Sequence, residues 1–215
     1  MRNKFDIELQ ELKNNLIKMG TLCESGFVEA IKAFLEKDTS YYEKMKITEE
    51  RIDEEEKNIE QQCMRLILHQ QPVAKDLRMV SSALKMVTDL ERIGDQSCDI
   101  AELTQYTSDG EIPLYDDIKT MSQEASKMLT NAIDSFVKQD LTLAKEVIEY
   151  DDNVDILFFK IKKDLIELLR KEVENPETVI DILMVAKYLE RIADHATNVA
   201  EWVVFSITGE YAEGE

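Results

Sequence analysis

Apolar residues recur three and four positions apart along almost the whole chain, as in Leu77, Val80, Leu84 and Val87. This spacing places apolar side chains on one face of an α-helix, whereas a half-buried strand needs strict alternation. Glycine and proline are the residues that most disfavour a helix interior. The 215 residues include only six glycines and three prolines. We therefore predict an all-α protein built from long helices.

Five short segments interrupt the helical pattern: KDTS at 37–40, HQQP at 69–72, TSDGEIP at 107–113, KQDLT at 138–142 and ENPET at 174–178. Turn-forming and helix-capping residues dominate these segments. Asp38 or Thr39, Asp140 and Asn175 are predicted N-caps, and Pro176 suits the first helical position. Five breaks predict six helices.

The two halves of the chain repeat each other. AIKAFLEKD at 30–38 matches AIDSFVKQD at 132–140, and LERI at 90–93 recurs at 189–192. Duplication of one structural unit explains matched phrases at matched places. Because short connections make neighbouring helices antiparallel, each unit is predicted to be a three-helix bundle. The predicted units are residues 1–108 and 109–215, joined at TSDGEIP.

The charge balance restricts the possible partners. Asp and Glu number 45 against 26 Lys and Arg, a formal net charge of −19. Such a field repels nucleic acid and anionic lipid, so neither is an expected partner. No signal peptide or apolar run of about 18 residues is evident, so membrane insertion is not expected. The three scattered cysteines suit free thiols in a reducing compartment. A cytoplasmic protein is predicted.

Acidic residues stand four apart at matching places in both halves. The pairs are Glu49 with Asp53 and Glu91 with Asp95 in the first half, and Asp151 with Asp155 and Glu190 with Asp194 in the second; Asp99 and Asn198 lie one turn further on. Side chains four apart share a helix face, so their oxygens can bind one cation. Oxygen ligands suit Mg, Mn, Ca or iron. One metal site per half is therefore predicted.

A solvated acidic face is the simpler alternative. In so acidic a chain, pairs at four-residue spacing arise by chance, and Arg92 and Arg191 precede Asp95 and Asp194 by three residues. Such neighbours form weak surface ion pairs. The repeated placement in both halves favours metal sites without excluding this alternative. His195 is expected to be a polar neighbour of these residues.

The phrases LERIGDQSCDIAE at 90–102 and LERIADHATNVAEWVVFSITGE at 189–210, with the repeat and the paired acids, resemble the PhoU family of phosphate transport regulators. The resemblance implies a six-helix protein whose E(D)xxxD motifs hold metal clusters, with iron favoured and Mg, Mn, Zn or Ca possible. The motif residues carried over are Glu49, Asp53, Glu91, Asp95, Asp151, Asp155, Glu190 and Asp194. Asp99 stands where the second phrase has Asn198, which allows the two sites to differ in metal identity or stoichiometry.

The resemblance also implies a function. A member of this family is expected to be a homodimeric cytoplasmic adaptor, without enzymatic turnover, that damps phosphate uptake and the phosphate-starvation response. Its expected partners are the nucleotide-binding subunit of the phosphate ABC transporter and a sensor histidine kinase. The first alternative, a di-iron oxidase or ferroxidase, needs Glu-x-x-His motifs. Ile192 and Leu66 precede His195 and His69 at that spacing, which disfavours it. A metal-free structural helical partner is the other alternative.

Overall fold

The computed structural model describes residues 2–70, 72–106, 113–171 and 175–211. These residues form six helices, as predicted: α1 (Arg2–Glu36), α2 (Ser40–Gln70), α3 (Lys75–Leu103), α4 (Tyr115–Lys138), α5 (Leu141–Leu169) and α6 (Pro176–Thr208). Their 24 to 35 residues correspond to lengths of roughly 36 to 52 Å. No strand occurs within these ranges. The predicted boundary at residues 108 and 109, with most of TSDGEIP, lies outside the described residues.

The predicted N-caps are present at three helix starts. The Asp140 carboxylate accepts hydrogen bonds from the backbone N–H groups of Thr142 and Leu143. Asn175 accepts from the N–H of Thr178, with Pro176 at the first turn. The Asp38 side chain accepts from the N–H of Ser40. These acceptors satisfy N–H groups that have no partner within the helix.

Each half of the chain is a three-helix bundle. Helices α1, α2 and α3 pack against one another, and α4, α5 and α6 do the same. The two bundles meet through an extensive α3–α6 interface and a smaller α1–α4 interface. In the described part of the chain, α2 and α5 contact only helices of their own half. Helices α3 and α6 are consequently central, and α2 and α5 lie on opposite flanks.

Paired polar contacts across the α3–α6 interface reflect the sequence repeat. Asp89 on α3 accepts a 3.0 Å hydrogen bond from the Asn198 side-chain amide and lies 3.0 Å from Nδ1 of His195. Asp99 on α3 interacts with the Tyr188 hydroxyl on α6. Asp99 and Tyr188 are the repeat counterparts of Asn198 and Asp89. The bundles therefore pack with approximate two-fold symmetry, in which the same pair of positions meets twice.

The core consists mostly of aliphatic side chains and small residues from all six helices. Val87, Leu90 and Ile192 are among the side chains with at most 2% exposure. Phe158 is buried at 9%, whereas its neighbour Phe159 is 61% exposed. Successive helical residues point about 100° apart, so Phe158 and Phe159 extend from α5 in different directions. No helix in the described ranges combines the length and the apolar character that a membrane span requires.

Candidate functional site

Helices α2 and α3 approach each other closely where the first acidic pairs lie. Gly94, between Glu91 and Asp95, is buried against Ile52 of α2. A Cβ at position 94 would lie 2.9 Å from Cδ1 of Ile52, too close without a shift. The absence of a side chain at Gly94 therefore lets the carboxylates of the two helices face each other across a short gap.

Three carboxylates from α2 and α3 meet at this point. One oxygen from each of Glu49, Asp53 and Asp95 lies within 4.8 Å of the other two. All three residues are partly buried. Partial burial, followed by the charges of Asp53 and Asp95, raises the pKa of Glu49. Such an arrangement is unfavourable when all three carboxylates are ionised and nothing positive lies between them.

Glu91 extends the group towards the protein interior. Its side chain is 15% exposed, and Arg92 Nε lies 3.4 Å from its Oε2. That oxygen is buried and accepts no hydrogen bond from any described residue. Burial, then the neighbouring charge of Asp95, raises the pKa of Glu91 to about 7. Apart from its ion-pair contact with Arg92, this buried oxygen has no described donor, so it is available to a further cation.

Glu56 is a member of the group that the sequence analysis did not identify. It is partly buried on α2, and burial followed by the charges of Glu60 and Asp53 raises its pKa. Its charge also acts on Glu91. Glu56 stands three residues after Asp53, so extending the helical spacing beyond the four-residue pair would have found it. We call Glu49, Asp53, Glu56, Glu91 and Asp95 the first cluster.

A second group lies between α5 and α6 at the repeat-related place. We call Asp151, Asp155, Glu190 and Asp194 the second cluster. Partial burial, and then the charge of Glu190, raise the pKa of Asp194 to about 6. Burial, then the charge of Asp155, raises the pKa of Asp151. The charges of the second cluster thus act on one another, although no three of them meet the spacing found for Glu49, Asp53 and Asp95 within the described residues.

Asp99 and Asn198 are engaged with the opposite half of the protein. Asp99 interacts with the Tyr188 hydroxyl, and burial raises the pKa of Asp99. The Asn198 amide donates to Asp89. His195 also contacts Asp89, consistent with the polar neighbour expected from the sequence. The assignment of Asp99 and Asn198 as metal ligands stays a prediction.

The residues of the first cluster fit a metal ion. Metal–oxygen distances of about 2.0 to 2.6 Å place oxygens bound to one ion no more than roughly 5 Å apart. The spacing of Glu49, Asp53 and Asp95 satisfies this limit. Burial, and then the charge of Glu49, raise the pKa of the nearby Cys98 thiol to about 12. The three carboxylates that satisfy the spacing supply oxygen donors, which hard or borderline cations prefer.

Known proteins resemble this chain over nearly its full length. A "phosphate-specific transport system accessory protein PhoU homolog" of Clostridium acetobutylicum is 34% identical, covering 99% of this chain and 98% of the relative. The homolog of Pseudomonas aeruginosa is 32% identical, covering 96% and 86%. The crystal structure of PhoU from Pseudomonas aeruginosa matches with a TM-score of 0.92 at 32% identity, covering 96% of this chain and all of that one.

A second solved structure and the family profile agree with these matches. The crystal structure of the phosphate transport system regulatory protein PhoU from Streptococcus pneumoniae has a TM-score of 0.91 at 27% identity, covering 97% of this chain and 99% of the other. The PhoU domain matches residues 16–104 and again 118–203, once in each half. The chain therefore belongs to the PhoU family.

Proposed function

We propose that this protein is a regulatory adaptor that lowers phosphate uptake and the phosphate-starvation response when phosphate is plentiful. The observation that carries the proposal is the near-complete match to relatives named as accessory proteins of a phosphate-specific transport system. Its proposed partners are the nucleotide-binding subunit of the phosphate ABC transporter and a sensor histidine kinase. It acts in the cytoplasm through protein contacts, as a homodimer and without turnover.

We further propose that the first cluster binds a metal ion, with iron favoured and Mg, Mn, Zn or Ca as alternatives. Glu49, Asp53 and Asp95 hold the ion, and Glu91 supplies its buried oxygen. A bound cation adds positive charge to a group of five carboxylates whose described ion pairs are with the exposed side chains of Arg92 and Lys57. Because its ligands come from both α2 and α3, binding stabilises one relative position of these helices over others. That coupling offers a route from metal occupancy to the surface presented to a partner.

Complementation tests the adaptor function. In a host strain lacking the gene, expression of this chain is expected to lower phosphate uptake and starvation-reporter activity in phosphate-rich medium. Pull-down with the purified nucleotide-binding subunit, using an unrelated ABC subunit as the control, tests the first partner. Unchanged uptake and reporter activity despite normal expression would contradict the proposal.

Metal analysis tests the cluster separately. The purified protein, and apo protein titrated with Mn²⁺, are expected to bind metal through a site that Glu49→Gln combined with Asp95→Asn removes. Glu54→Gln, an exposed position on α2, is the control and leaves binding unchanged. Limited trypsin digestion is expected to be slower with metal than without it. Identical binding by wild type and the double variant would refute the assignment.

A further inference from the structure

Lys187 places a positive charge inside the second cluster. Its ammonium Nζ contacts both carboxylate oxygens of Glu190, three residues later on α6. The same Nζ lies 5.4 Å from the ring centroid of Phe158 on α5, a cation–π distance. The Glu190 side chain is 13% exposed and the Lys187 side chain 44%. Lys187 therefore approaches the cluster from its solvent side, with its ammonium held between the two helices.

The charge of Lys187 reaches beyond Glu190. It lowers the pKa values of Asp155 on α5 and Asp194 on α6, whereas burial and the charge of Glu190 raise them. Three of the four carboxylates in the second cluster thus interact with one ammonium group. With both Glu190 oxygens engaged by that ammonium, Glu190 has no unshared oxygen to offer a metal ion.

The first cluster has no lysine at the position equivalent to Lys187. The repeat counterpart of Lys187 is Thr88, and the counterpart of Phe158 is Glu56. Arg92 does pair with Asp95 at 3.0 Å, but it is 51% exposed. Its contact leaves the oxygen trio of the first cluster intact. The first cluster consequently has one more carboxylate than the second, and its described cationic contacts come from exposed side chains at its edge, Lys57 at 3.7 Å from Asp53 and Arg92 at 3.0 Å from Asp95.

We propose that Lys187 is a built-in counter-ion that occupies the cation position of the second cluster and makes the two repeat-related sites unequal in metal affinity. The first cluster takes a divalent metal, whereas the second binds one only when the Lys187 side chain moves out towards solvent. Its flexible four-carbon stem and its partial exposure permit that movement. The consequence for metal loading rests on the metal-binding function proposed above for the first cluster.

Replacing Lys187 by methionine tests the proposal, because methionine keeps an apolar stem against Phe158 and removes the charge. Bound Mn²⁺ is counted in apo protein by the loss of the free-ion electron paramagnetic resonance signal. Wild type is expected to bind at the first cluster alone at low Mn²⁺. Lys187→Met is expected to gain a second binding event, roughly tenfold or more tighter than any second event in wild type. A unit charge close to a divalent ion weakens its binding by at least that much.

Two further variants test whether the additional Mn²⁺ ion binds at the second cluster. Asp194→Asn in the Lys187→Met background is expected to abolish it. Lys160→Met is the matched control, since Lys160 lies on α5 at 52% exposure and pairs with Asp117 rather than with the cluster. This control removes the same charge and is expected to show no additional event. A gain in Lys160→Met equal to that in Lys187→Met would overturn the proposal, because net charge alone would explain it.

The outcomes separate this proposal from the proposed function. If wild type binds no Mn²⁺ but Lys187→Met binds one ion sensitive to Asp194→Asn, the first-cluster assignment fails and the counter-ion proposal stands. If Lys187→Met gains no event while its circular dichroism spectrum shows normal helix content, the counter-ion proposal fails. A double-mutant cycle of Lys187→Met and Glu190→Gln, measured by urea unfolding of the metal-free protein, provides a second readout. If the double variant changes the urea midpoint by the sum of the two single changes, the residues do not interact and the counter-ion proposal is overturned.

Discussion

At the scale of single residues, the notable property of this protein is a set of half-buried carboxylates held close to one another. This closeness has an energetic cost at Glu91, where burial and then the charge of Asp95 raise the pKa to about 7. The sequence could identify Glu91 because it occurs in a repeated phrase. It could not show that one oxygen of Glu91 would be buried without a donor, since that depends on how α2 covers α3.

Glu91→Gln is expected to change the pH dependence of stability in metal-free protein. The pKa of Glu91 is higher in the folded state than in the unfolded state, so the folded state binds more protons between about pH 4.5 and 7. Stability therefore falls as pH rises through that window and levels off above it. The glutamine variant should lose this decline and be more stable at pH 8 by roughly 1 to 3 kcal/mol.

Urea unfolding at pH 5, 6, 7 and 8 measures this effect. Glu54→Gln, which removes an exposed carboxylate of α2, serves as the control and should follow the wild-type profile. The expectation is wrong if Glu91→Gln parallels wild type across the whole range. Added Mn²⁺ should reverse the order at pH 8, because the variant loses a proposed ligand.

At the scale of helices, local sequence was sufficient to locate every element. The three-and-four spacing of apolar residues, the scarcity of glycine and the capping residues gave six helices with the observed breaks. What these signals could not provide was the rotation of each helix about its own axis. The adjacent Phe158 and Phe159 illustrate this limit, since both are apolar and only Phe158 is buried in the folded protein.

Gly94→Val is expected to destabilise the protein by about 1 to 3 kcal/mol, because the added atoms overlap Ile52 and force α2 away from α3. The separation should also weaken Mn²⁺ binding at the first cluster. Thermal unfolding and the Mn²⁺ titration measure the two effects. Gly94→Ala should lie between wild type and valine, since improved helix propensity offsets part of the overlap. A valine variant as stable as wild type would contradict the close approach of the helices.

Asp140→Ala is expected to cost about 1 kcal/mol through loss of the α5 N-cap. Asp140 accepts from two backbone N–H groups, and alanine leaves both without that acceptor. Asp140→Ser retains a capping oxygen and should recover most of the loss. Urea unfolding at pH 7 distinguishes the two variants. Equal midpoints for alanine and serine would show that the cap contributes nothing.

At the scale of the whole molecule, two bundles carrying a net charge of −19 pack side by side. Polar pairs at repeat-related positions, such as Asp89 with Asn198, connect α3 to α6. Mutual repulsion among so many carboxylates opposes compactness, and mobile ions reduce that repulsion. The free energy of unfolding should therefore depend on ionic strength, because screening acts on all the charges of the molecule together.

Raising ionic strength from 0.01 to 0.15 M is expected to increase the free energy of unfolding, because the screening length falls from about 30 to about 8 Å. Tetramethylammonium chloride should produce this increase, since its bulky cation cannot enter the carboxylate clusters. A divalent salt at equal ionic strength should stabilise more, through binding at the first cluster. An increase seen only with the divalent salt would show that general screening is unimportant.

The helices, their ends, the duplication and the main acidic pairs could be predicted from sequence, because each of these depends on residues close together along the chain or on repeated phrases. Three features became visible only in the folded protein: the inclusion of Glu56 in the first cluster, the contact of Lys187 with Glu190 in the second, and the engagement of Asp99 and Asn198 across the α3–α6 interface. These features depend on the relative rotation and spacing of packed helices. Rotation and spacing are fixed by side chains far apart in sequence, such as Gly94 and Ile52, that meet only when the protein is folded.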